Sequence, residues 1–222
     1  KGYDLIINIL GKDHGGWLDR VRPAVAAFSD GKTKLDAVFC SIVKIFKNGE
    51  PVKLSKRSGN LITLREMVEE VGAGAVRFFM LTRTPDSELE FDFAKVIEQS
   101  RDNPVFYVQY AHARICSVLR HAAEMFPALA QDKLAAVPLD KLTHDAELSL
   151  VKYLATWPQL VEAAALAKEP HRITYYLIDL AAQFHGLWNK GREDTALRFL
   201  HADDATLSAA HMALIQATRM VL

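Results

Sequence analysis

The pattern of apolar and polar positions changes character near residue 94. Before it, short apolar runs alternate with helical stretches. Asp4-Leu5-Ile6-Ile7-Asn8-Ile9-Leu10 is a β-branched run closed by Gly11, as expected of a strand buried on both faces. A helix follows, with Trp17, Leu18, Val21, Val25 and Phe28 near one face, and it ends before Asp30-Gly31. Residues 37–46 make a second β-rich run. Lys47-Asn48-Gly49-Glu50 then predicts a hairpin, because Asn-Gly accepts the positive φ angles of a two-residue turn. The return strand runs through Pro51-Val52-Lys53, and residues 54–60 form a polar loop. Thr63-Leu64-Arg65-Glu66 has the form of a capping box and starts a helix that ends at Gly72. A second helix runs from about Ala73 to Arg83 and stops at Thr84-Pro85-Asp86. Leu89-Glu90-Phe91-Asp92-Phe93 alternates with period two, a short strand or extended connector.

Past this point the pattern is helical throughout. Phe106, Val108, Tyr110, Ile115, Val118 and Leu119 belong to a long helix with Pro104 near its start or at a kink. Residues 127–142, with two prolines, read as a linker. Between 171 and 189, Ile173, Tyr176, Leu177, Leu180, Ala181, Phe184, Leu187 and Trp188 keep helical period, and Gly191 follows as a stop. At that period the aromatic stripe Tyr176, Phe184, Trp188 reads as core. Asp204 is placed to cap a last helix bearing Leu207, Ala210, Leu214, Ala217 and Val221. The fold class is therefore α/β followed by all-α, divided into residues 1–97 and 98–222.

Composition narrows the function classes. The 222 residues are 50% hydrophobic and 24% charged, and Lys+Arg equals Asp+Glu at 27 each, which excludes a polybasic binder but leaves room for a local basic surface. No apolar run approaches the roughly 18 residues of a membrane span. Cys40 and Cys116 lie far apart with no metal-ligand spacing, so no protein-bound metal is expected and a reducing, cytoplasmic setting is. The chain opens on Lys1, close to a strongly apolar run, and reads as a piece of a longer protein. A partial sheet would expose apolar faces, so it is expected either to self-associate or to be covered by residues outside this sequence.

Charge is unevenly spread. Between Lys32 and Arg57 seven basic residues stand against two acidic ones. That surface is either a solvated hairpin edge or a face for polyphosphate or nucleic acid. The loop Val52-Lys53-Leu54-Ser55-Lys56-Arg57-Ser58-Gly59-Asn60 suits closure on a phosphate chain, with two ammonium groups to neutralise phosphoryl oxygens and a hydroxyl to donate a hydrogen bond.

Lys53-Leu54-Ser55-Lys56-Arg57 resembles the KMSKS signature of class I aminoacyl-tRNA synthetases, with Leu for Met and Arg for the final Ser. Val71-Gly72-Ala73-Gly74-Ala75-Val76-Arg77-Phe78-Phe79 is similar to their recurrent G-A-D-A-[LV]-R-[FY] helix. Asp102-Asn103-Pro104-Val105-Phe106-Tyr107-Val108-Gln109-Tyr110-Ala111-His112-Ala113-Arg114-Ile115 resembles the opening of the helical anticodon-binding domain of bacterial arginyl-tRNA synthetases. Gly11-Lys12-Asp13-His14-Gly15-Gly16 resembles their G-A-D-H-x-G segment, with Lys12 for Ala. The likeness runs in order from Leu5 to Leu222.

The resemblance implies the C-terminal part of a class I Rossmann-like catalytic domain over 1–97 and a helical-bundle anticodon-binding domain over 98–222. It implies an enzyme, an arginine–tRNA ligase, that activates arginine with ATP and Mg²⁺ and transfers it to arginine tRNA. Lys53, Ser55 and Lys56 occupy the catalytic signature positions, and Lys56 would stabilise pyrophosphate as charge develops. Asp13 and His14, at the end of a parallel strand, would meet ATP or the adenylate together with Lys53 and Lys56, or else the arginine pocket. The bland alternative makes Asp13 a helix cap. Gln109, Tyr110, His112 and Arg114 are the tRNA-binding candidates, although 109–114 span more than one turn and cannot all face one partner. His185 reads as structural.

The family's HIGH-type motif is missing, since His14-Gly15-Gly16-Trp17 lacks the second histidine. These residues alone are expected not to aminoacylate, and the parent is expected to be a monomer. The rival readings are a cysteinyl-type synthetase sharing the helical domain, a non-catalytic helical RNA-binding module with a vestigial nucleotide fold, and a plain helical scaffold.

Overall fold

The computed structural model describes residues 2–52, 62–127 and 131–222. They group into two compact units, Lys1–Ile97 with Leu166–His171, and Glu98–Ala165 with Arg172–Leu222. Among the described residues no helix is long and apolar enough to cross a membrane.

In the first unit, β1 (Leu5–Gly11) pairs in parallel with β2 (Lys34–Cys40), and α1 (Gly15–Phe28) makes the crossover between them. Only Leu18 of α1 is buried, and Phe28 stands 93% exposed, so the expected apolar face of that helix is largely open. The run expected over 37–46 is two strands rather than one. The Ser41 amide donates to the Pro85 carbonyl at 2.7 Å and its hydroxyl to Asp86 O at 2.7 Å. These bonds peel the chain from β1, and β3 (Val43–Lys47) pairs in parallel with β5 (Leu89–Asp92) instead.

Asn48 and Gly49 take φ of 53° and 81°, turning β3 into the antiparallel β4 (Glu50–Pro51) as Asn-Gly predicts. Among the described residues the return strand covers Glu50–Pro51, and Lys53, where it was expected to run on, lies outside them. Buried Asp92 clasps the turn: its Oδ2 accepts from Gly49 N at 2.9 Å and its Oδ1 from Ala94 N at 3.0 Å. Thr63 and Glu66 form the capping box of α2 (Leu64–Val71), which ends at Gly72 with φ of 86° before α3 (Ala73–Met80). With α4 (Phe93–Ile97) these elements close a core of Ile45, Met67, Val76, Phe91, Phe93 and Val96. Phe91 meets Phe79 and Phe93 edge-on at 5.6 and 5.5 Å.

The second unit is helical: α5 (Pro104–Met125), α6 (Asp145–Ala155), α7 (Trp157–Ala167), α8 (His171–Glu193) and α9 (Ala205–Val221), the last capped by Asp204 Oδ1 accepting from Leu207 N at 2.9 Å. Ile115, Leu119, Leu150, Leu180, Phe184, Leu187, Met212 and Ile215 are fully buried. His211 lies among them, with Nε2–H donating to Glu147 Oε1 at 2.5 Å, while Glu147 Oε2 accepts from His144 N at 2.9 Å. Burial holds the His211 imidazole below its ordinary pKa, against the raising effect of Glu147. One buried carboxylate thus ties the start of α6 to α9.

Candidate nucleic-acid interface

α5 begins where Asn103 Oδ1 accepts from Val105 N at 3.0 Å and Pro104 supplies a preset φ. The helix buries Val105, Val108, Ala111, Ile115, Val118, Leu119 and Ala122. That register turns Tyr110 and Arg114, one turn apart, onto its flank.

Arg114 is held on four sides. Its guanidinium carbon lies 4.3 Å from the centre of the Tyr110 ring and 4.6 Å from that of Trp188. Nη2 donates to the Tyr110 hydroxyl at 2.5 Å, and Nη1 lies 3.3 Å from His185 Nδ1. Contacts of this kind contribute about 0.5–2 kcal/mol each, depending on desolvation. The rings extend the cluster: Phe106 stacks on Tyr110 at 5.8 Å, and His185 lies 4.7 Å from Tyr107 and 5.7 Å from Tyr110. His185 Nε2 is 3.4 Å from the Tyr107 carbonyl. Its pKa is lowered, chiefly by burial and also by Arg114 and Arg101, against the raising effect of the Tyr107 carbonyl. Tyr110 remains 44% exposed, so the cluster reaches solvent.

Beside Trp188 opens a pocket of about 470 Å³ whose lining includes Val118, His121, Trp188, Arg192, Arg198 and Phe199. In its wall Gly191 allows close approach of the Leu197 backbone: a Cβ there would stand 2.8 Å from the Leu197 carbonyl oxygen. Arg198 Nε donates to Gly191 O at 3.3 Å, leaving the rest of its guanidinium for other partners. Two arginines and a histidine beside the half-buried Trp188 indole make a surface that attracts phosphate, and the open part of the indole can stack on a flat base.

The sequence candidates separate by face. Tyr110 and Arg114 come together; Gln109 and His112 are exposed too but, one and two residues from Tyr110, point away from it around α5, and His112 Nδ1 lies 3.7 Å from Cys116 Sγ. Neither Tyr110 nor His112 is core. Trp188 departs from the reading of its stripe: Tyr176 and Phe184 are buried, but Trp188 is half-buried and packs on Arg114. His185, expected to be structural, faces Arg114, and Arg192 and Arg198 were not among the sequence candidates. The available signal was the switch, just after Trp188, from the apolar stripe to Asn189-Lys190-Gly191-Arg192.

In the first unit, Asp13 and His14 follow the C-terminal end of β1 with side chains 83% and 60% exposed and 3.7 Å apart. Asp13 caps neither the short 3₁₀ turn Lys12–His14 nor α1, so the capping alternative has no hydrogen bond behind it. The basic excess before residue 57 is partly cancelled, because Lys44 pairs with Glu88 at 2.6 Å and Lys47 with Glu70 at 3.1 Å. Lys53, Ser55 and Lys56 lie outside the described residues. Among the described residues no group of three or more His, Cys, Asp or Glu side chains could hold a metal.

A protein of Parvibaculum lavamentivorans described as an arginine–tRNA ligase is 55% identical over 223 residues, covering 100% of this chain and 38% of that protein. One of Rhodospirillum rubrum, described in the same words, is 54% identical over 225 residues with the same coverage. The chain thus spans about 38% of the length of these curated relatives. Among solved structures, a presumptive arginyl-tRNA synthetase of Campylobacter jejuni superposes with a TM-score of 0.76 at 27% identity, over 99% of this chain and 45% of that one. The arginyl-tRNA synthetase of Thermus thermophilus shares the fold, with a TM-score of 0.70 at 24% identity over 97% of this chain and 38% of that one. Residues 108–222, more than half of the sequence and including Tyr110, Arg114, His185 and Trp188, match the DALR anticodon binding domain, and the chain belongs to that family.

Proposed function

We propose that this chain is part of an arginine–tRNA ligase, whose whole length activates arginine with ATP carrying Mg²⁺ and transfers it to arginine tRNA in the cytoplasm. Residues 1–97 serve as the C-terminal part of its catalytic domain and 98–222 as its anticodon-binding domain. The observation that carries this reading is Arg114, held against Tyr110 and Trp188 with its cluster open to solvent, inside the span that matches an anticodon-binding family. A fixed, partly desolvated guanidinium beside an exposed aromatic ring suits phosphate or base edges of an unpaired loop. Gln109 and His112, turned away from Arg114 around α5, would meet a different part of the tRNA, and Arg192, Arg198 and His121 extend the Arg114 contact around the pocket.

Lys53 and Lys56 neutralise the phosphate chain of ATP, Ser55 hydrogen-bonds to it, and Asp13 and His14 face the adenylate from the end of β1. Without an HIGH-type motif the 222 residues alone do not aminoacylate; arginine-dependent ATP–pyrophosphate exchange by the purified chain would overturn that. The names of the relatives favour a ligase over a non-catalytic RNA-binding module.

The deciding experiment is filter retention of arginine tRNA against a mismatched tRNA at two salt concentrations. The chain is expected to prefer arginine tRNA, and Arg114→Ala to weaken that binding about tenfold. Equal, salt-sensitive retention of both tRNAs would assign the binding to basic surface alone and sink the anticodon reading.

A further inference from the structure

We propose that His185 is a positioning residue for the tRNA-contacting guanidinium: its Nδ1 lone pair, made available by the bond that Nε2–H gives to the Tyr107 carbonyl, aims Arg114. The inference rests on the reading of Arg114 as a tRNA contact and adds the group that presents it.

The tautomer follows from the partners. A guanidinium has donors only, so the ring nitrogen 3.3 Å from Arg114 Nη1 must accept. A carbonyl oxygen accepts only, so the nitrogen 3.4 Å from Tyr107 O must carry the hydrogen. Both demands are met by one neutral form, with Nε2 protonated and Nδ1 bare. The imidazolium would put an N–H against the guanidinium and break the bond. The ring is buried, 8% exposed, and the charges acting on it are the cations Arg114 and Arg101. Both favour the neutral ring.

The arrangement also fixes direction. Tyr107 and Tyr110 of α5 pack against the imidazole at 4.7 and 5.7 Å, so the ring cannot turn without leaving its carbonyl. Arg114 starts on α5 as well, and of its four holds, two come from α8: His185 Nδ1 and the Trp188 ring. Tyr110 alone, four residues before Arg114 on the same helix, would leave a long side chain free to swing. His185 turns that flexible cation into one with a set heading, reducing the entropy lost when tRNA is engaged.

The test is a double-mutant cycle on the 222-residue chain, read by retention of arginine tRNA, with His185→Phe, Arg114→Ala and the double variant. Phenylalanine keeps a ring against Tyr107 and Tyr110 but has no acceptor. His185→Phe is expected to weaken binding about tenfold in the parent background and less than about twofold when Arg114 is already alanine. Equal losses in both backgrounds would make His185 a packing residue and overturn the proposal. An independent readout is the ¹⁵N signature of the His185 imidazole in the wild-type chain at pH 7, expected to show Nε2 protonated and Nδ1 bare. An Nδ1-protonated or doubly protonated ring refutes the proposal whatever the variants do. Should the chain retain no arginine tRNA, the tRNA reading of the surface fails on its own, while the imidazole signature still decides whether His185 offers Nδ1 to Arg114.

Discussion

Two glycines of α8 make opposite predictions for the same substitution. In an exposed helix interior, alanine stabilises relative to glycine by about 1 kcal/mol, because the unfolded chain loses less freedom on folding. Gly186 has open space where a Cβ would go, so Gly186→Ala should show that gain. Gly191 does not: its Cβ would lie 2.8 Å from Leu197 O, 3.1 Å from Leu197 C and 3.3 Å from Arg198 N. All three are backbone atoms, so no side chain can rotate away, and the segment carrying Leu197 to Phe199 must lift from the helix. Overpacking of this kind costs about 1–3 kcal/mol, and the backbone origin of the clash argues for the upper half of that range. After the helical gain is subtracted, Gly191→Ala should destabilise by about 1–2 kcal/mol, leaving the two variants about 2–3 kcal/mol apart. Urea unfolding followed by tryptophan fluorescence measures this, since Trp188 packs 6.0 Å from Phe199. The same lift would widen the pocket beside Trp188 and carry Arg198 with it. If Gly191→Ala proves as stable as Gly186→Ala, the close approach is not real and the pocket wall is wrongly placed.

Acid should weaken the helical unit before the carboxylates titrate. His185 and His211 both have folded pKa values lowered from the ordinary 6.5, mainly by burial, so their contribution is fully present above 6.5 and is lost as pH falls toward the folded values. Each can lower stability by up to about 1.4 kcal/mol per pH unit in that window; unfolding curves at pH 7.5, 6.5 and 5.5 (set as roughly unit steps) that coincide would refute the assignment. Thr63→Ala removes the acceptor that Glu66 N uses at 3.2 Å and should cost the first unit about 1 kcal/mol, measured by the same unfolding assay, whereas Thr63→Ser should be nearly neutral.

Features set by neighbouring residues were legible in the sequence. The Asn48-Gly49 turn, the Thr63–Glu66 box, the Gly72 stop and the Asp204 cap each depend on a few adjacent side chains and backbone angles. Two features were not. The division of 37–46 into β2 and β3 depends on Ser41 bonding to Pro85 and Asp86, more than forty residues away, and nothing in the β-rich run announces it. α6 and α7 fall in a stretch the pattern left unassigned. α6 is capped by His144, whose Nδ1 accepts from Ala146 N at 3.0 Å in place of the usual Ser, Thr, Asp or Asn. Thr156 and Pro158 then obscure the join to α7.

The same distinction governs the candidate site. Tyr110 and Arg114 could be paired on paper because they are one helical turn apart, and their i,i+4 contact is local. What turns the pair into a directed cation is 71 residues further along the chain, where His185 accepts from Arg114 and Trp188 packs on it. On the helical pattern alone, Phe184, Leu187 and Trp188 all belong to one apolar stripe, and periodicity cannot say which member lies at its edge. Packing decides it: Phe184 is closed in by Phe199 at 5.8 Å, whereas Trp188 reaches the margin where α5 presents Arg114. A large aromatic at the end of an apolar stripe, followed at once by basic residues, has reason to be read as the border between core and surface. There an aromatic ring can orient a cation without being lost to the interior.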